Sequence, residues 1–583
     1  MQSSVTPEIS GSANIASSVS GVAGRSPERM ALWFSLRSGP AAEAADHGLS
    51  FRQLDEESDR YAHGLLNLGV GRACRVLLMV PPGAEFVTLA FALFKIGAVV
   101  VLIDPGMGKK NLLQCVREVE PEALIGVPLA HLLRRVYQSH FKRLKYAVTF
   151  GRRWLWGGAT LDQVREKVWR RFPMAELNGE DPIAIVFTTG STGVPKGVLY
   201  RHHVLEAQIE SIKSHFRIEE EEVGLAAFAP FALFSIAMGT TCVLPFMDPT
   251  QAAQVDPREV IRSIRDHRVT YSFGSPAFWE RVSEYCGEHR VELSTMKKIV
   301  MAGAPVSERV LRQVGAILPV DAETHTPYGA TEALPVASIG GTEVLNETAE
   351  LTRQGAGICV GRALPGVALR IIQIVDEAIP RWDEALVLPP RKIGEIVVRG
   401  PVVTAEYCGR EEETARAKIR QGDIVWHRMG DLGYLDEMGR LWFCGRKSHC
   451  VITPQRILFP VQCEAIFNCH PDVRRSALVG VGPIPKQRPV IVVEPRPGKM
   501  PSRARDRAKF VQELLDLGRR NPLTRDIMEV LFHPRFPVDF RHNAKILREK
   551  LALWAEAKIR GSAGSLRPEA QGSKAPWRGK SSQ

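Results

Sequence analysis

The sequence lacks the paired cysteines of a zinc ribbon, a redox motif or a disulfide framework. Its ten cysteines are scattered along 583 residues, and none stands in a CxxC pair. Cys444/Cys450 and Cys463/Cys469 are each six residues apart, a spacing that fits neither metal-binding nor redox motifs. We therefore expect the reduced thiols of a cytoplasmic protein and no structural metal.

The beginning of the sequence lacks a basic stretch followed by an apolar core, so it does not resemble a signal peptide. We expect residues 1–24 to form a disordered leader and residues 560–583, rich in Gly, Ser and Pro, to form a disordered basic tail. The uncharged run 223–247 is long enough to cross a bilayer. Because proline and glycine interrupt it, we instead predict a strand, a proline turn, a buried helix and a second strand.

Charge is unevenly distributed in an otherwise ordinary globular composition of 45% hydrophobic and 24% charged residues. Residues 131–171 contain eleven Lys and Arg but only Asp162 and Glu166 as acids. Within this segment, Arg152-Arg153-Trp154-Leu155-Trp156 alternates charged and aromatic residues. The segment predicts either a solvated face or a docking surface for partner proteins or a membrane. Nucleic acid is not expected, because no base-reading module accompanies the charge.

Apolar strand-like runs alternate with helical stretches, which predicts an α/β fold of stacked, mostly parallel sheets covered by helices. Examples are a strand at Arg75–Val80 before a helix at Ala84–Ile96, and a strand at Lys298–Met301. The shorter runs Gly394–Arg399 and Leu441–Cys444 predict a small β-barrel-like subdomain. Chemistry in such folds gathers at the carboxyl ends of the strands.

A second domain is expected after the β-hairpin whose turn lies at Asp436–Arg440, because a new periodicity begins there. We place the N-terminal domain at residues 25–445 and a smaller α+β C-terminal domain at residues 450–559.

The strongest motif is a loop dense in hydroxyls and glycines between two strand-like runs. Such a loop offers backbone N–H and hydroxyl donors without side-chain bulk, and its lysine adds a mobile cation, so it predicts a polyphosphate-binding cradle. It is not a Walker A loop, because Pro195 precedes the lysine and Gly197 follows it. The predicted phosphate-binding residues are Thr188, Thr189, Gly190, Ser191, Thr192, Gly193 and Lys196.

This loop resembles the phosphate-binding signature of the adenylate-forming superfamily of acyl-CoA synthetases, luciferases and peptide-synthetase adenylation domains. The resemblance covers roughly residues 25–555, and five further motifs follow in the family's order. It implies ATP and Mg²⁺ as cofactors. It also implies a hinge at residues 446–449 and a C-terminal domain that moves about it.

The resemblance implies a role for each motif. Gly303-Ala304-Pro305 would flank adenine. In Tyr328-Gly329-Ala330-Thr331-Glu332, the tyrosine would stack on adenine, the threonine would meet the α-phosphate, and the glutamate would hold Mg²⁺ with the Thr188 hydroxyl. Asp431 would bind the ribose hydroxyls, and Arg446 would contact the nucleotide. Lys545 occupies the position of the catalytic lysine.

These roles suit the activation of a carboxylate. Attack of the carboxylate on the α-phosphorus of ATP gives an acyl-adenylate and releases pyrophosphate. Mg²⁺, held by Glu332, and Lys196 would offset charge on the departing phosphates, and Lys545 the charge between carboxylate and α-phosphate. We therefore expect Lys545, Glu332 and Lys196 to be the catalytic residues.

The chain departs from the common family pattern at several points. The segment usually carrying a gating histidine is wholly apolar here, and Phe231, Leu233 and Phe234 predict a pocket for a long alkyl chain. Ala544 replaces the glycine before the catalytic lysine. The stretch 453–456 lacks the family's glycine near the pantetheine tunnel, which puts CoA use in doubt.

The departures, with the strings 445–449 and 536–546, resemble the β-lactone synthetases of bacterial long-chain olefin biosynthesis. That resemblance implies a 2-alkyl-3-hydroxy fatty acid substrate, no CoA, and attack of the substrate's own 3-hydroxyl on the activated carbonyl. It also implies other olefin-pathway enzymes as partners. His202 and His203 are candidate bases for that hydroxyl, with surface histidines at a helix start as the other interpretation.

Two alternatives stay open. One is a long-chain fatty acyl-CoA or acyl-AMP ligase, which shares the first half-reaction and differs in the nucleophile. The other is a catalytically silent scaffold, against which the presence of Lys196, Glu332 and Lys545 argues.

Overall fold

The computed structural model describes residues 14–36, 45–188, 195–248, 251–539 and 545–564. The chain divides into two compact units. The first contains the chain up to Ser448 together with Val538–Ile546, and the second contains His449–Pro537 and the chain from Leu547 onward. The division after Ser448 falls inside the predicted hinge at 446–449. Val538–Ile546 is grouped with the first unit, whereas the predicted C-terminal domain at 450–559 includes it.

Strands and helices alternate along the first unit, and the predicted α/β fold is confirmed. Its strands are β1 (Met30–Leu36), β2 (Ala45–Ser50), β3 (Arg75–Met79), β4 (Val99–Leu102), β5 (Ala123–Gly126), β6 (Tyr146–Thr149), β7 (Ala159–Thr160), β8 (Pro182–Thr188), β9 (Lys196–Arg201), β10 (Val223–Ala226), β11 (Thr241–Leu244), β12 (Tyr271–Gly274), β13 (Lys298–Met301), β14 (Glu323–Ala330), β15 (Ala333–Gly340), β16 (Ile358–Ala363), β17 (Ala368–Ile372), β18 (Gly394–Arg399), β19 (Lys418–Gln421), β20 (Ile424–Leu435) and β21 (Leu441–Arg446).

Helices of the first unit cover these strands. They are α1 (Ala16–Arg25), α2 (Phe51–Leu68), α3 (Ala84–Ile96), α4 (Lys109–Val119), α5 (Pro128–Val136), α6 (Leu161–Val164), α7 (His202–His215), α8 (Pro230–Ala237), α9 (Pro257–Asp266), α10 (Pro276–His289), α11 (Glu308–Gly315), α12 (Gly341–Glu343), α13 (Ala349–Arg353) and α14 (Glu411–Ala417).

A seven-stranded sheet has the order β7-β6-β5-β3-β4-β8-β9. All neighbours are parallel except β8 and β9, which form an antiparallel hairpin at one edge. Its parallel strands are short apolar runs because helices bury both faces. The hairpin at the edge carries the two ends of the predicted phosphate loop.

A second, fourteen-stranded sheet has the order β17-β18-β20-β21-β16-β15-β14-β13-β12-β10-β11-β1-β2, and β19 pairs with β20. It is parallel from β14 to β1 and antiparallel from β14 to β17. The strands expected to form a β-barrel-like subdomain, β18 and β21 among them, continue this sheet. Their pairings do not close into a ring within the described ranges.

The second unit is an α+β structure, as predicted. Strands β24 (Val473–Val481), β25 (Arg488–Pro495) and β26 (Val530–Phe532) form one sheet, and β22 (Val451–Ile452) pairs with β23 (Ile457–Leu458). Its helices are α15 (Pro460–Phe467), α16 (Ala504–Arg519) and α17 (Arg548–Gly564).

The prediction of a disordered leader at residues 1–24 is wrong for its second half. Residues from Ala16 form helix α1, and Val19 and Val22 are buried against the core. The Asn14 side-chain amide donates to the Phe94 carbonyl at 2.9 Å. Apolar residues spaced three and four apart form one buried helix face, a period that the abundance of Ser, Gly and Ala obscures. Residues 1–13 lie outside the described ranges.

At the other end, the predicted tail begins too early, because α17 continues through Gly564. The rest of that tail, 565–583, lies outside the described residues.

The uncharged run 223–247 forms β10, a helix that starts at Pro230, and β11, as predicted. Within the described ranges, no helix combines the length and the apolar character needed to cross a bilayer.

Candidate active site

The β8–β9 hairpin holds the described ends of the predicted phosphate loop. Thr188 and Lys196 are direct Cα partners across the hairpin. Thr189, Gly190, Ser191, Thr192 and Gly193 lie outside the described residues. The described ends of the loop therefore lie side by side at the edge of the seven-stranded sheet.

The Thr331-Glu332 pair is the turn of a second hairpin, between β14 and β15 of the larger sheet. The Tyr200 hydroxyl on β9 donates to the Thr331 carbonyl at 2.6 Å. The Glu332 carbonyl accepts from the Thr404 N–H at 2.9 Å and from its hydroxyl at 3.0 Å. The turn is thus fixed on two sides by residues distant in sequence.

Gly329 precedes this turn where two backbones approach closely. A Cβ at this position would lie 2.8 Å from the Ala333 carbonyl oxygen. Glycine is therefore required by the close approach of β14 to β15.

Residues 403–408, here called the connector, lie between the two sheets. Tyr407 forms a β-bridge with Val198 on β9, and the Cys408 N–H donates to the Gly197 carbonyl at 2.7 Å. At its other end, Val403 forms a β-bridge with Ala333 on β15. The connector thereby joins the edge of the seven-stranded sheet to the Glu332 hairpin.

Tyr407 brings the predicted catalytic residues of the two sheets together. Its hydroxyl donates to Glu332 Oε1 at 2.8 Å, and Lys196 Nζ lies 5.0 Å from the centroid of its ring. Burial and the neighbouring Glu332 carboxylate raise the pKa of Tyr407, so the hydroxyl stays protonated and donates. The sequence prediction missed this residue, since a single tyrosine among polar neighbours has no motif of its own.

Tyr328, Asp431 and Arg446 form a second polar cluster. Asp431 and Arg446 are Cα partners on β20 and β21. The Tyr328 hydroxyl donates to Asp431 Oδ2 at 2.6 Å, and Arg446 Nε lies 2.9 Å from Asp431 Oδ1. Burial and Asp431 raise the pKa of Tyr328, and Asp431 raises the pKa of Arg446. The carboxylate is held between a phenol and a guanidinium.

Gly303-Ala304-Pro305 follow one residue after the end of β13, which is paired in parallel with β14. The Ala302 N–H donates to the Gly274 carbonyl at 3.1 Å, and Gly303 turns the chain with a φ of +93°. Because the carboxyl ends of parallel strands meet at one edge of a sheet, this segment and Tyr328 lie at the same edge of the larger sheet.

A buried lysine and histidine lie behind the Glu332 turn. Lys418 and His427 are Cα partners on β19 and β20, and both are almost completely buried. Lys418 Nζ donates to the Thr404 carbonyl, so it supports the residue that holds the Glu332 backbone. Sequence analysis missed both residues, because burial of a lysine depends on the assembled sheet.

Burial controls the protonation of this pair. It lowers the pKa of Lys418 to about 7, and the Glu332 carboxylate opposes this shift only in part. Burial, with the nearby Lys418, lowers the pKa of His427 well below its usual value. His427 is therefore neutral at neutral pH, and Lys418 titrates there.

The predicted substrate-pocket residues lie on α8. The Phe231 ring stacks on Phe273 with centroids 5.1 Å apart, and lies 5.7 Å from the Phe234 ring. Phe234 packs on the same small cluster as Phe231. Leu233 packs, together with Phe231, against the main core cluster of the first unit.

The two candidate histidines differ in environment. His203 Nδ1 lies 2.7 Å from the Gly179 carbonyl oxygen and 3.2 Å from Glu180. His202 is buried, so the interpretation of both as surface histidines is wrong for His202. They follow β9, whose six residues span about 17 Å from Lys196. Neither lies at the end of β9 where Lys196 meets Tyr407.

Lys545 is held by two hydrogen bonds to Asp539, and the residues between them, 540–544, lie outside the described ranges. Its N–H donates to Asp539 Oδ1 at 2.8 Å, and the Asp539 N–H donates to its carbonyl at 2.8 Å. Val538 and Ile546 form a β-bridge beside them. The Lys545 side chain is exposed.

Residues 21–408 match the family described as AMP-binding enzyme. The chain belongs to the AMP-binding enzyme family. It is an AMP-forming ligase or synthetase, in agreement with the resemblance inferred from the sequence.

Two relatives match the chain over almost its whole length, and both are named olefin beta-lactone synthetase. The protein of Xanthomonas campestris pv. campestris is 46% identical over 549 residues, covering 93% of this chain and 97% of the relative. That of Stenotrophomonas maltophilia is 45% identical over 556 residues, covering 94% and 98%.

The fold is also that of solved members of this group of enzymes. An amide bond synthetase from Marinactinospora thermotolerans superimposes with a TM-score of 0.74 at 22% identity, covering 94% of this chain and all of that one. At this identity the similarity concerns the architecture.

The burial of Lys418 predicts that the stability difference between wild type and a Lys418→Met variant depends on pH. The folded state disfavours the protonated Lys418 amine. The free-energy cost of burying that charge therefore grows as pH falls from about 10 to about 7, and it is constant below about 7. We expect Lys418→Met to raise the thermal midpoint relative to the wild type, more at pH 7 than at pH 10. The pKa difference corresponds to at most about 5 kcal/mol.

The measurement is thermal unfolding of both proteins across that pH range. Lys392→Met, at an exposed lysine, is the control and should show no pH-dependent difference. A Lys418→Met difference that stays constant with pH would contradict a lowered pKa for Lys418.

Proposed function

We propose that this chain is an ATP-dependent β-lactone synthetase that acts on a long-chain 2-alkyl-3-hydroxy fatty acid. The observation that carries the proposal is the 46% identity, over nearly the whole of both chains, to a relative named olefin beta-lactone synthetase. The contacts around Tyr407 and Asp431 support it, because they assemble the residues expected to bind a nucleotide.

The residues near Glu332 fit a magnesium ion bound together with nucleotide phosphates. Mg²⁺ prefers oxygen ligands and commonly takes one or two carboxylates plus substrate phosphates. Tyr407 engages Glu332 Oε1, and the Thr188 hydroxyl is the other proposed ligand. The remaining ligands would be oxygens of the nucleotide phosphates. Bound there, the ion would offset phosphate charge.

The first half-reaction activates the carboxylate. A carboxylate oxygen attacks the α-phosphorus of ATP, the bond to the β-phosphate oxygen breaks, and pyrophosphate leaves. Lys196, lying over the Tyr407 ring, would stabilise the departing phosphates. Lys545 would stabilise charge at the attacking carboxylate and the α-phosphate.

The second half-reaction closes the ring. The substrate's 3-hydroxyl oxygen attacks the acyl carbonyl carbon, the bond to the adenylate oxygen breaks, and AMP leaves. Tethering makes the nucleophile effectively concentrated, and the mixed anhydride offsets the ring strain. The placement of His202 and His203 beyond the far end of β9 argues against either as the base for the hydroxyl.

The alkyl chains of such a substrate need an apolar surface. Phe231 and Phe234 are half-buried on α8, a helix without a charged residue. They are the proposed contact for the long chain.

The Tyr407 hydroxyl should set the affinity for magnesium-bound ATP. We expect Tyr407→Phe to raise the Mg²⁺ concentration needed for half-maximal pyrophosphate release about tenfold or more, because a hydrogen bond to a charged group contributes about 1.5–3 kcal/mol. Tyr407→Ala should lower the maximal rate as well, since Lys196 then loses the ring beneath it. Tyr285→Phe on α10 is the matched control. Equal Mg²⁺ dependence in Tyr407→Phe and wild type would rule out this role.

Lys545 should be needed for chemistry and dispensable for nucleotide binding. We expect Lys545→Ala to lower the rate of adenylate formation about 10²–10³-fold while the dissociation constant for ATP stays unchanged. Lys550→Ala, at an exposed lysine nearby on α17, is the control. Wild-type turnover in Lys545→Ala would remove the catalytic assignment.

The mass of the reaction product distinguishes a β-lactone synthetase from an acyl-CoA ligase. Enzyme, Mg·ATP and a 2-alkyl-3-hydroxy fatty acid should yield, without CoA, a product whose mass equals the substrate minus water, with AMP and pyrophosphate. Mass spectrometry with and without CoA measures this directly. A product formed only with CoA, at the mass of a thioester, would identify an acyl-CoA ligase instead.

A further inference from the structure

One face of the first unit combines exposed apolar side chains with arginines and includes no residue of the Tyr407 or Asp431 clusters. It is formed by α5 and the loop 152–156. Leu129, Leu132 and Val136 lie three and four residues apart, so they share one side of α5. They are 72%, 48% and 63% exposed, while Ala130 and His131 on the other side are buried. The helix thus turns apolar residues toward solvent as well as toward the core.

The loop 152–156 extends the same apolar face. Trp154 and Leu155 are 61% and 101% exposed. The loop is fixed beside α5, because Arg134 Nη2 donates to the Trp156 carbonyl at 2.6 Å and the His131 and Trp156 rings stack with centroids 5.8 Å apart. The exposed residues of helix and loop therefore belong to one defined surface.

Positive charge borders these apolar residues. Arg135 and Arg152 are exposed and make no ion pair within the part of the chain that the structure describes. Arg143 and Lys145 of the same segment are paired, with Glu120 and Glu122. The two arginines beside the apolar residues are thus available for an external anion.

We propose that this surface, Leu129, Leu132, Val136, Trp154 and Leu155 with Arg135 and Arg152, docks on an anionic lipid bilayer. Leucine and tryptophan side chains that stand out from a surface insert into the headgroup region, while arginines at their border pair with lipid phosphates. The side chains protrude from a helix and a loop, so they suit insertion into a soft layer.

The test measures partition of the full chain onto vesicles without ATP or fatty acid, so its outcome is separate from that of the proposed function. Vesicles of phosphatidylcholine alone are compared with vesicles containing about one part in three of phosphatidylglycerol. We expect binding to the anionic vesicles, weakened by salt, and little binding to phosphatidylcholine.

Two double variants separate the contribution of the arginines to vesicle binding from that of the apolar side chains. Each arginine near an anionic surface contributes about fivefold to partition, so Arg135→Glu with Arg152→Glu should lower it at least about 25-fold. Leu132→Ser with Leu155→Ser should also weaken binding. The matched controls are Arg503→Glu with Arg505→Glu, and Val320→Ser, which change exposed residues elsewhere and should bind as the wild type does. Thermal unfolding verifies that each variant is folded.

Three results would overturn the proposal. One is wild-type binding by both double variants, and another is equal binding to the two vesicle types. The third is no vesicle binding together with self-association in sedimentation that the Leu132→Ser/Leu155→Ser variant abolishes, which would make this face a contact between copies of the chain.

Discussion

The contact of the connector with both sheets is the constraint on which the site depends. Lys196 belongs to an edge strand of the seven-stranded sheet, whereas Glu332 belongs to a hairpin turn of the fourteen-stranded sheet. Residues 403–408 contact each of them through β-bridges, at Val198 and at Ala333. Tyr407 then makes one contact to Lys196 and one to Glu332. Without the connector, neither sheet alone contains a complete phosphate site.

The packing around the connector also determines the protonation states of the buried groups beside it. The connector covers the edge of β9, and Lys418 lies behind it, where burial disfavours its charged form. Its hydrogen bond goes to the Thr404 carbonyl, and Thr404 in turn holds the Glu332 backbone. When Lys418 carries its proton, its charge acts on the Glu332 carboxylate with little screening, because the interior has a low dielectric constant. The same interior keeps His427 neutral and Tyr407 protonated.

Local patterns predicted the regular elements well. The helix at Ala84–Ile96 and the strands at Lys298–Met301 and Gly394–Arg399 were predicted with the ends that the structure gives them, since continuous apolar runs bounded by Gly or Pro carry a strong signal. The leader was predicted wrongly because α1 is short and rich in Ser, Gly and Ala, and its burial depends on contacts with α2 and α3. The strand-like runs at Gly394–Arg399 and Leu441–Cys444 were also identified locally, whereas their place in the larger sheet depends on pairing between distant strands.

The sequence by itself determined the family, the α/β fold and the chemical identity of the motif residues, because each motif is contiguous and its residue types suit phosphate and carboxylate chemistry. Tertiary structure alone decided which of these residues meet. Tyr407 lies far along the chain from Lys196 and from Glu332, and Asp431 reaches Tyr328 only through the order of strands in the larger sheet. The burial of Lys418 and the exposure of Leu129 and Leu155 were decided there too. Such properties depend on contacts between segments distant in sequence, and local periodicity carries no information about them.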